Sequence, residues 1–211
     1  MVNIIKNIAL HHSGGSVSDK YFSTAYMSVT DIDTYHHLKW NFKSSLNFYA
    51  GYNVIYDPKS RLFFQMRAIG EETAAQYGHN FDTFSLCIIG NFNLRPFGSP
   101  RMPVDQMTFD IENDIAAYLQ DLIDGNKRQL IVSSGTKLDF SYQRVYAHRF
   151  FKDTDCYGTF LTNTWARELA SRKKVAIIRE SLLALYKLLD NLKRKPSLGS
   201  ADDRECDGFV E

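Results

Sequence analysis

The chain is poor in cysteine, has almost no net charge and contains no long apolar run. Its 211 residues include three cysteines, Cys87, Cys156 and Cys206. Because these are odd in number and far apart, they exclude a disulfide framework. The net charge of +1 argues against a dedicated nucleic-acid-binding protein, which needs a broad basic face. No apolar stretch approaches the roughly 20 residues of a transmembrane helix, so we expect no membrane span.

The N-terminal segment lacks the features of a secretion signal. In "MVNIIKNIALHHSGG" a short apolar stretch ends at His11 and His12, before any small-residue cleavage site. We therefore interpret this segment as a β-strand, and we expect the protein to be cytoplasmic when it is synthesised.

Residues that can build a core are abundant. Hydrophobic residues make up 44% of the chain and aromatic residues 14%, which is ample for a folded domain. Strand-like segments alternate with helical ones, which predicts an α/β fold with a mixed β-sheet flanked by helices. The segments "NIIKNIALHH" and "TFSLCIIGNF" are predicted strands, the second one central and covered on both faces. The segment "YNVIYDPKSRLFFQM" is predicted to form a hairpin that turns at Asp57 and Pro58.

Two helices are predicted from apolar residues spaced three and four apart. The first runs through "TDIDTYHHLKWNF", where we expect His36 and His37 on a solvated face, with one of them lining a binding groove as the alternative. The second runs from Met107 to Leu122, with Gly125 as its C-terminal stop.

The C-terminal part differs in character from the rest. Apolar residues from Val175 to Leu192 alternate spacings of three and four, which predicts a basic amphipathic helix over residues 170–195. The tail, residues 196–211, is polar and acidic and is predicted to be disordered. These differences place a domain limit between residues 169 and 170. The helix could serve self-association, contact a wall or membrane surface, or dock on the parent domain, and a merely solvated basic face is the alternative.

Three residues could converge on one metal ion. His11 ends a predicted strand, His148 ends another, and Cys156 follows in "YAHRFFKDTDCYG". Strands that end at one edge of a sheet bring their last residues together, and a catalytic zinc typically has three protein ligands from His, Cys or a carboxylate. The spacing alone favours the alternative, a histidine at a strand end and a half-buried thiol.

Four segments in order resemble a known family. "IALHHSGG", "GYNVIYDPKSRLFFQM", "YGHNFDTFSLCIIGNF" and "YAHRFFKDTDCYG" are similar to motifs of the zinc-dependent N-acetylmuramoyl-L-alanine amidases, which include phage amidase lysozymes and peptidoglycan recognition proteins. The match covers about residues 4–169. The resemblance implies an amidase domain with Zn²⁺ as cofactor and peptidoglycan as partner. It also implies hydrolysis of the bond between N-acetylmuramic acid and L-alanine, in cell-wall lysis or remodelling as by an endolysin.

The resemblance also assigns roles to individual residues. It implies His11, His148 and Cys156 as zinc ligands, and His12 fits less well because successive strand side chains point to opposite faces. It implies catalytic roles for Tyr52, beside the substrate carbonyl, and for Thr154. The substrate-binding residues that we expect are Asn53, His79 and Asn80.

The chain departs from the family pattern next to two of the predicted ligands. Tyr157 stands where the family has the proline of Cys-Pro-Gly, and Arg149 and Phe150 follow His148 without the acidic residue that is often found there. Two other functions therefore stay open: a peptidoglycan-binding module without activity, and a zinc-stabilised structural or assembly protein. The presence of Cys156 favours hydrolysis over binding alone.

Overall fold

The structure is a computed structural model, and it describes residues 2–14, 27–92, 107–126, 130–151 and 162–193. The chain divides into two compact units, Met1–Lys173 and Lys174–Glu211.

The first unit is built on a mixed β-sheet with helices. Its strands are β1 (Asn3–Ile5), β2 (Asn7–His12), β3 (Val54–Asp57), β4 (Leu62–Gln65), β5 (Thr83–Ile88), β6 (Thr136–Leu138) and β7 (Val145–Ala147). Its helices are α1 (Val29–Trp40), α2 (Phe109–Ile123) and the first turns of α3 (Asn163–Lys193). Five strands form one sheet in the order β4-β3-β5-β2-β7, and β1 pairs with β6 in a second sheet. Only the β3–β4 pair is antiparallel among the described strands.

The strand pattern of the sequence is confirmed for the centre of the sheet and for the hairpin. Every residue of β5 is buried, as expected for a strand in the middle of the sheet with both faces covered. β3 and β4 form the predicted hairpin, and its turn ends at Arg61 with a φ of 57°. The single strand predicted at the N-terminus is in fact two, because Lys6 separates β1 from β2 and the two strands join different sheets.

The first two helices begin at side-chain caps. Before α1, the hydroxyl of Ser28 accepts the N–H of Asp31 at 3.2 Å, and the Asp31 carboxylate accepts the Ser28 N–H at 2.7 Å. This reciprocal pair is a capping box, which satisfies two N–H groups that the helix leaves open. Thr108 caps α2 in a similar way through the N–H of Ile111. Gly125 follows the end of α2 with a φ of 81°, as predicted for a C-terminal stop.

Helix α3 begins earlier than the sequence pattern predicted. It starts at Asn163, and Ala166, Leu169 and Ala170 belong to the buried core of the first unit. The indole N–H of Trp165 donates to the Glu112 carboxylate of α2 at 2.9 Å. The domain limit predicted between residues 169 and 170 therefore falls inside this helix, and the division between the two units lies at Lys173 and Lys174.

The second unit is described only as far as Lys193, and the acidic tail, residues 196–211, lies outside the described residues. Side chains from residue 181 to residue 189 are all exposed. The large apolar ones among them are Leu182, Leu183, Leu185, Tyr186, Leu188 and Leu189. Within the part of the chain that the structure describes, no helix is long and apolar enough to cross a membrane.

Candidate active site

Two histidines meet at one edge of the main sheet. β2 and β7 are parallel neighbours, and neighbouring parallel strands end at the same edge. His11 is the second-to-last residue of β2, and His148 follows directly after β7. Their ring centroids are 4.3 Å apart. The topology therefore brings together two imidazoles that are far apart in the sequence.

The environment of this pair keeps His11 uncharged. The His11 side chain is almost fully buried, with 1% of its surface exposed. Burial lowers its pKa well below the ordinary value, and the nearby His148 and His12 lower the pKa further, because charging an imidazole without water or a counter-ion is unfavourable. A neutral imidazole is the form that binds a metal ion.

His12 has a different environment from His11. It is also buried, but its Nδ1 accepts the backbone N–H of Phe92 at 3.2 Å. Successive side chains of a strand point to opposite faces, which explains why the two adjacent histidines do not share an environment. His12 thus supports the segment after β5.

Tyr52 stands beside the histidine pair. Its ring centroid lies 5.2 Å from that of His11 and 5.4 Å from that of His36. The half-buried Tyr52 side chain precedes β3, which is separated from β2 only by β5. A phenol group therefore lies next to the imidazole of His11.

A buried histidine holds the backbone next to Tyr52. The Nδ1 of His36 accepts the N–H of Gly51 at 2.8 Å. Burial lowers the pKa of His36 to about 4, with smaller contributions from Lys39 and Arg67, so the ring is neutral and can accept this bond at neutral pH. The prediction of a solvated face is wrong for His36, which is 5% exposed. His37 is exposed as predicted and stacks on Tyr49.

Comparisons with known proteins identify the fold. No protein-family model and no curated protein sequence matches the chain. Among solved structures, the N-acetylmuramoyl-L-alanine amidase LysC from Clostridium intestinale matches with a TM-score of 0.52 and 17% identity, over 82% of this chain and 87% of that chain. The fold is that of the N-acetylmuramoyl-L-alanine amidases. The predicted resemblance and fold class are thereby confirmed.

Peptidoglycan recognition proteins match the chain less closely. The bumblebee protein PGRP-SA has a TM-score of 0.48 and 16% identity, over 78% of this chain and 81% of that chain. Peptidoglycan recognition protein-LE, solved in complex with tracheal cytotoxin, a monomeric diaminopimelic acid-type peptidoglycan, has a TM-score of 0.47 and 14% identity, over 78% and 79% of the two chains.

Two residues predicted to bind substrate have other partners in this amidase fold. Asn53 is 1% exposed. Its side-chain amide donates to the carbonyl of Ala68 at 3.2 Å, and its oxygen accepts the N–H of Ser85 at 2.9 Å. The side-chain oxygen of Asn80 accepts the N–H groups of Gln76 at 2.7 Å and Ala75 at 3.2 Å. Both ends of the buried Asn53 amide are thus engaged, whereas Asn80 is half-buried and these contacts engage its side-chain oxygen. Substrate binding by the two asparagines stays a prediction.

His79, the third residue predicted to bind substrate, has an exposed side chain. Its Nδ1 lies 3.5 Å from the carboxylate of Asp82, and its ring centroid lies 5.0 Å from that of Phe151. Phe151 directly follows the 3₁₀ turn His148–Phe150. His79 thus lies next to the segment that carries the second histidine, in a position that a substrate can reach.

One residue that contacts His11 was not predicted from the sequence. Gln76 is fully buried, and its Nε2 lies 3.1 Å from Nε2 of His11. No motif marks Gln76, and 65 positions separate it from His11. The only local signal is its place in the loop that ends with the segment "YGHN", before β5.

Two predicted site residues, Thr154 and Cys156, lie outside the described residues. Within the described ranges, no three His, Cys, Asp or Glu side chains are close enough to hold a metal ion. What the described part of the amidase fold provides is a pair of imidazoles at a sheet edge, of which His11 is neutral, with a phenol beside it.

Proposed function

We propose that the protein is a zinc-dependent N-acetylmuramoyl-L-alanine amidase that acts on the peptidoglycan of the bacterial cell wall. The observation that supports this most is the pairing of His11 with His148, at a ring-centroid distance of 4.3 Å, at the sheet edge of an amidase fold. Tyr52 beside the pair adds a hydrogen-bond donor for a reacting carbonyl. The reaction is hydrolysis of the amide bond between N-acetylmuramic acid and L-alanine.

The residues fit a zinc ion in donor type and in charge state. His11 and His148 would hold the ion with Cys156 as the third ligand. Two imidazoles and a thiolate form a typical donor set for a catalytic zinc. The neutral state of His11, which its lowered pKa ensures, leaves a lone pair for coordination. A bound zinc supplies a Lewis acid that polarises a carbonyl and lowers the pKa of water to roughly 7.

The protein side chains perform the remaining tasks. The Tyr52 hydroxyl donates a hydrogen bond to the substrate carbonyl oxygen as negative charge develops on it. Thr154, two positions before Cys156, holds a water that passes a proton to the leaving amine. His36 and Arg67 hold the peptide unit that joins Ala50 to Gly51, His36 through its N–H and Arg67 through its carbonyl, and so keep Tyr52 in place.

Hydrolysis of purified peptidoglycan tests the proposal directly. The products expected are free L-alanine amino termini, without new reducing sugar ends. Reducing ends would instead show a glycosidase. Binding of peptidoglycan without any cleavage, by protein loaded with zinc, would show a recognition module, and zinc binding with no affinity for peptidoglycan would show a structural zinc protein.

Tyr52→Phe is expected to keep zinc and fold but to slow turnover about 10²-fold, because one donor to the oxyanion is lost. Turnover of a soluble muropeptide under saturating substrate is the measurement, with zinc content determined on the same sample. Tyr49→Phe is the matched control, because Tyr49 lies three residues earlier and stacks on the exposed His37. Tyr52→Phe activity within a factor of two of wild type would assign Tyr52 to packing only.

Removal of residues 174–211 is expected to spare hydrolysis of soluble fragments and to weaken clearing of intact cell walls. The core residues of α3 and the ion pair between Arg172 and Glu112 all precede the cut. The removed part carries basic residues and exposed leucines that suit a wall polymer or a membrane surface. The defect should be larger at low salt, where exposed charges act over longer distances.

Turbidity of cell-wall suspensions across salt concentrations measures this effect, and light scattering reports the oligomeric state of both chains. Equal clearing by the shortened and full chains at every salt concentration would rule out targeting by residues 174–211. A change of mass without a change of clearing would assign the segment to self-association.

A further inference from the structure

A buried amide contacts the histidine that we propose as the first zinc ligand. The Gln76 side chain has no solvent exposure, and its Nε2 lies 3.1 Å from Nε2 of His11. A primary amide buried in this way is costly unless its donors and acceptor are paired. The position of Gln76 therefore needs an explanation beyond filling space.

The amide is held in place by polar groups on several sides. The hydroxyl of Ser85 lies 2.8 Å from Nε2 and 3.0 Å from Oε1 of Gln76, and the Thr73 hydroxyl lies 3.4 Å from Oε1. The Gln76 backbone N–H donates to Asn80, and the Ser85 backbone N–H donates to Asn53. Both asparagines that we first expected in the substrate groove thus fix the surroundings of Gln76.

The hydrogen-bond partner of one imidazole nitrogen determines whether the other nitrogen carries a proton or a lone pair. A neutral imidazole carries one proton, and a histidine that binds a metal through one nitrogen donates from the other to a fixed acceptor. We propose that Gln76 is a positioning residue that sets the tautomer of His11. With zinc bound, the Gln76 carbonyl oxygen accepts a hydrogen bond from the Nε2–H of His11, and the lone pair for the metal is then on Nδ1. This inference rests on the proposed zinc site.

The surroundings of Gln76 allow its amide two orientations, and the second one performs this role. In the structure the amide nitrogen of Gln76 faces His11, so Nε2 accepts its hydrogen bond. A half-turn of the amide presents the oxygen, and Nε2 then donates. The Ser85 hydroxyl is within bonding distance of both ends of the amide. Because a hydroxyl both donates and accepts, Gln76 keeps this partner in either orientation, and the amide can turn over when the metal binds.

Zinc affinity of the full chain, measured by competition with a chelator, tests the proposal. Gln76→Met keeps the length of the side chain but removes the oxygen that accepts the hydrogen bond. We expect the zinc affinity to fall about 10- to 100-fold. Gln76→Glu keeps an acceptor, and Thr73→Val changes a buried neighbour in the same loop that contacts Gln76. Both should stay within about threefold of wild type, because the bond to Nε2 remains available. Wild-type affinity of a folded Gln76→Met would overturn the proposal.

A second measurement does not depend on any variant folding. Nitrogen-15 NMR of the His11 ring in the zinc-loaded wild type should show the proton on Nε2, and a proton on Nδ1 would overturn the proposal. His11→Ala separates this inference from the zinc site itself. If His11→Ala keeps its zinc, the proposed site and the role of Gln76 both fall. If His11→Ala loses zinc while Gln76→Met binds it normally, only the role of Gln76 falls.

Discussion

His148→Ala is expected to remove zinc from the purified protein and to abolish release of L-alanine amino termini from peptidoglycan. The ring of His148 lies against that of His11, with centroids 4.3 Å apart. A zinc ion with three protein ligands that loses one of them keeps too few to compete with water and buffer. Cys156→Ser should have the same effect, because a hydroxyl is a much poorer zinc ligand than a thiolate.

Metal content after dialysis measures the loss, and activity is assayed on the same samples. His37→Ala is the control for removing a histidine, since His37 is exposed on α1 and its ring stacks on Tyr49. It should keep one zinc per chain and full activity. Unchanged zinc in both His148→Ala and Cys156→Ser would mean that the ligands are elsewhere.

Local sequence patterns were enough to predict most of the sheet and the helices. The hairpin of β3 and β4 follows from its turn residues, and the burial of β5 follows from an uninterrupted apolar run. The contact between His11 and His148 depends on two strands that end at the same edge. The positions where the strands end were predicted from the sequence. The structure adds that β2 and β7 are parallel neighbours, so that both strands end at the same edge. The role of the two histidines in metal binding stays a prediction.

The failures share a physical cause, because periodicity shows which residues lie on one face but not what covers that face. His36 follows Ile32 by one helical turn, and both are buried. The spacing alone therefore contained a signal for the burial of His36. The start of α3 was predicted too late because Ala166 and Ala170 are small, and the apolar pattern became obvious only after Val175.

Contacts between polar residues that are far apart in the chain could not be predicted from the sequence. Gln76 meets His11 and Ser85 only after the loop before β5 has folded against the sheet. Asn53 was expected to bind substrate because of its place after Tyr52. Alternation along an extended segment instead turns Asn53 inward, toward Ser85. Polar side chains at a sheet edge can thus hold other residues of the site in place. Sequence order does not distinguish these side chains from those that face the substrate.

The largest effect on stability is expected from a buried arginine. The Arg67 side chain has no solvent exposure. Its guanidinium donates to the carbonyls of Ala50 at 2.7 Å, Glu72 at 3.3 Å and Phe42. It also lies 4.2 Å from the ring centroid of Phe42. Burial lowers the pKa of Arg67, and the carboxylate of Glu71 opposes this effect. Through these contacts Arg67, two residues after the end of β4, holds Ala50 and thereby the segment before Tyr52.

Arg67→Met should lower the free energy of unfolding by about 3 to 5 kcal/mol, because several buried carbonyls lose their donor at once. Methionine retains most of the apolar volume, so the loss reports the polar contacts rather than a cavity. Urea denaturation with a chelator present measures it without a contribution from metal binding. Arg61→Met is the control, since the two bonds from Arg61 to Asp114 lie at an exposed position, where their loss costs less than that of the buried Arg67 contacts. If both variants lose the same small amount of stability, the Arg67 contacts do not hold this segment, and the position of Tyr52 depends on the bonds that His36 and Asp33 accept from Gly51 and Ala50.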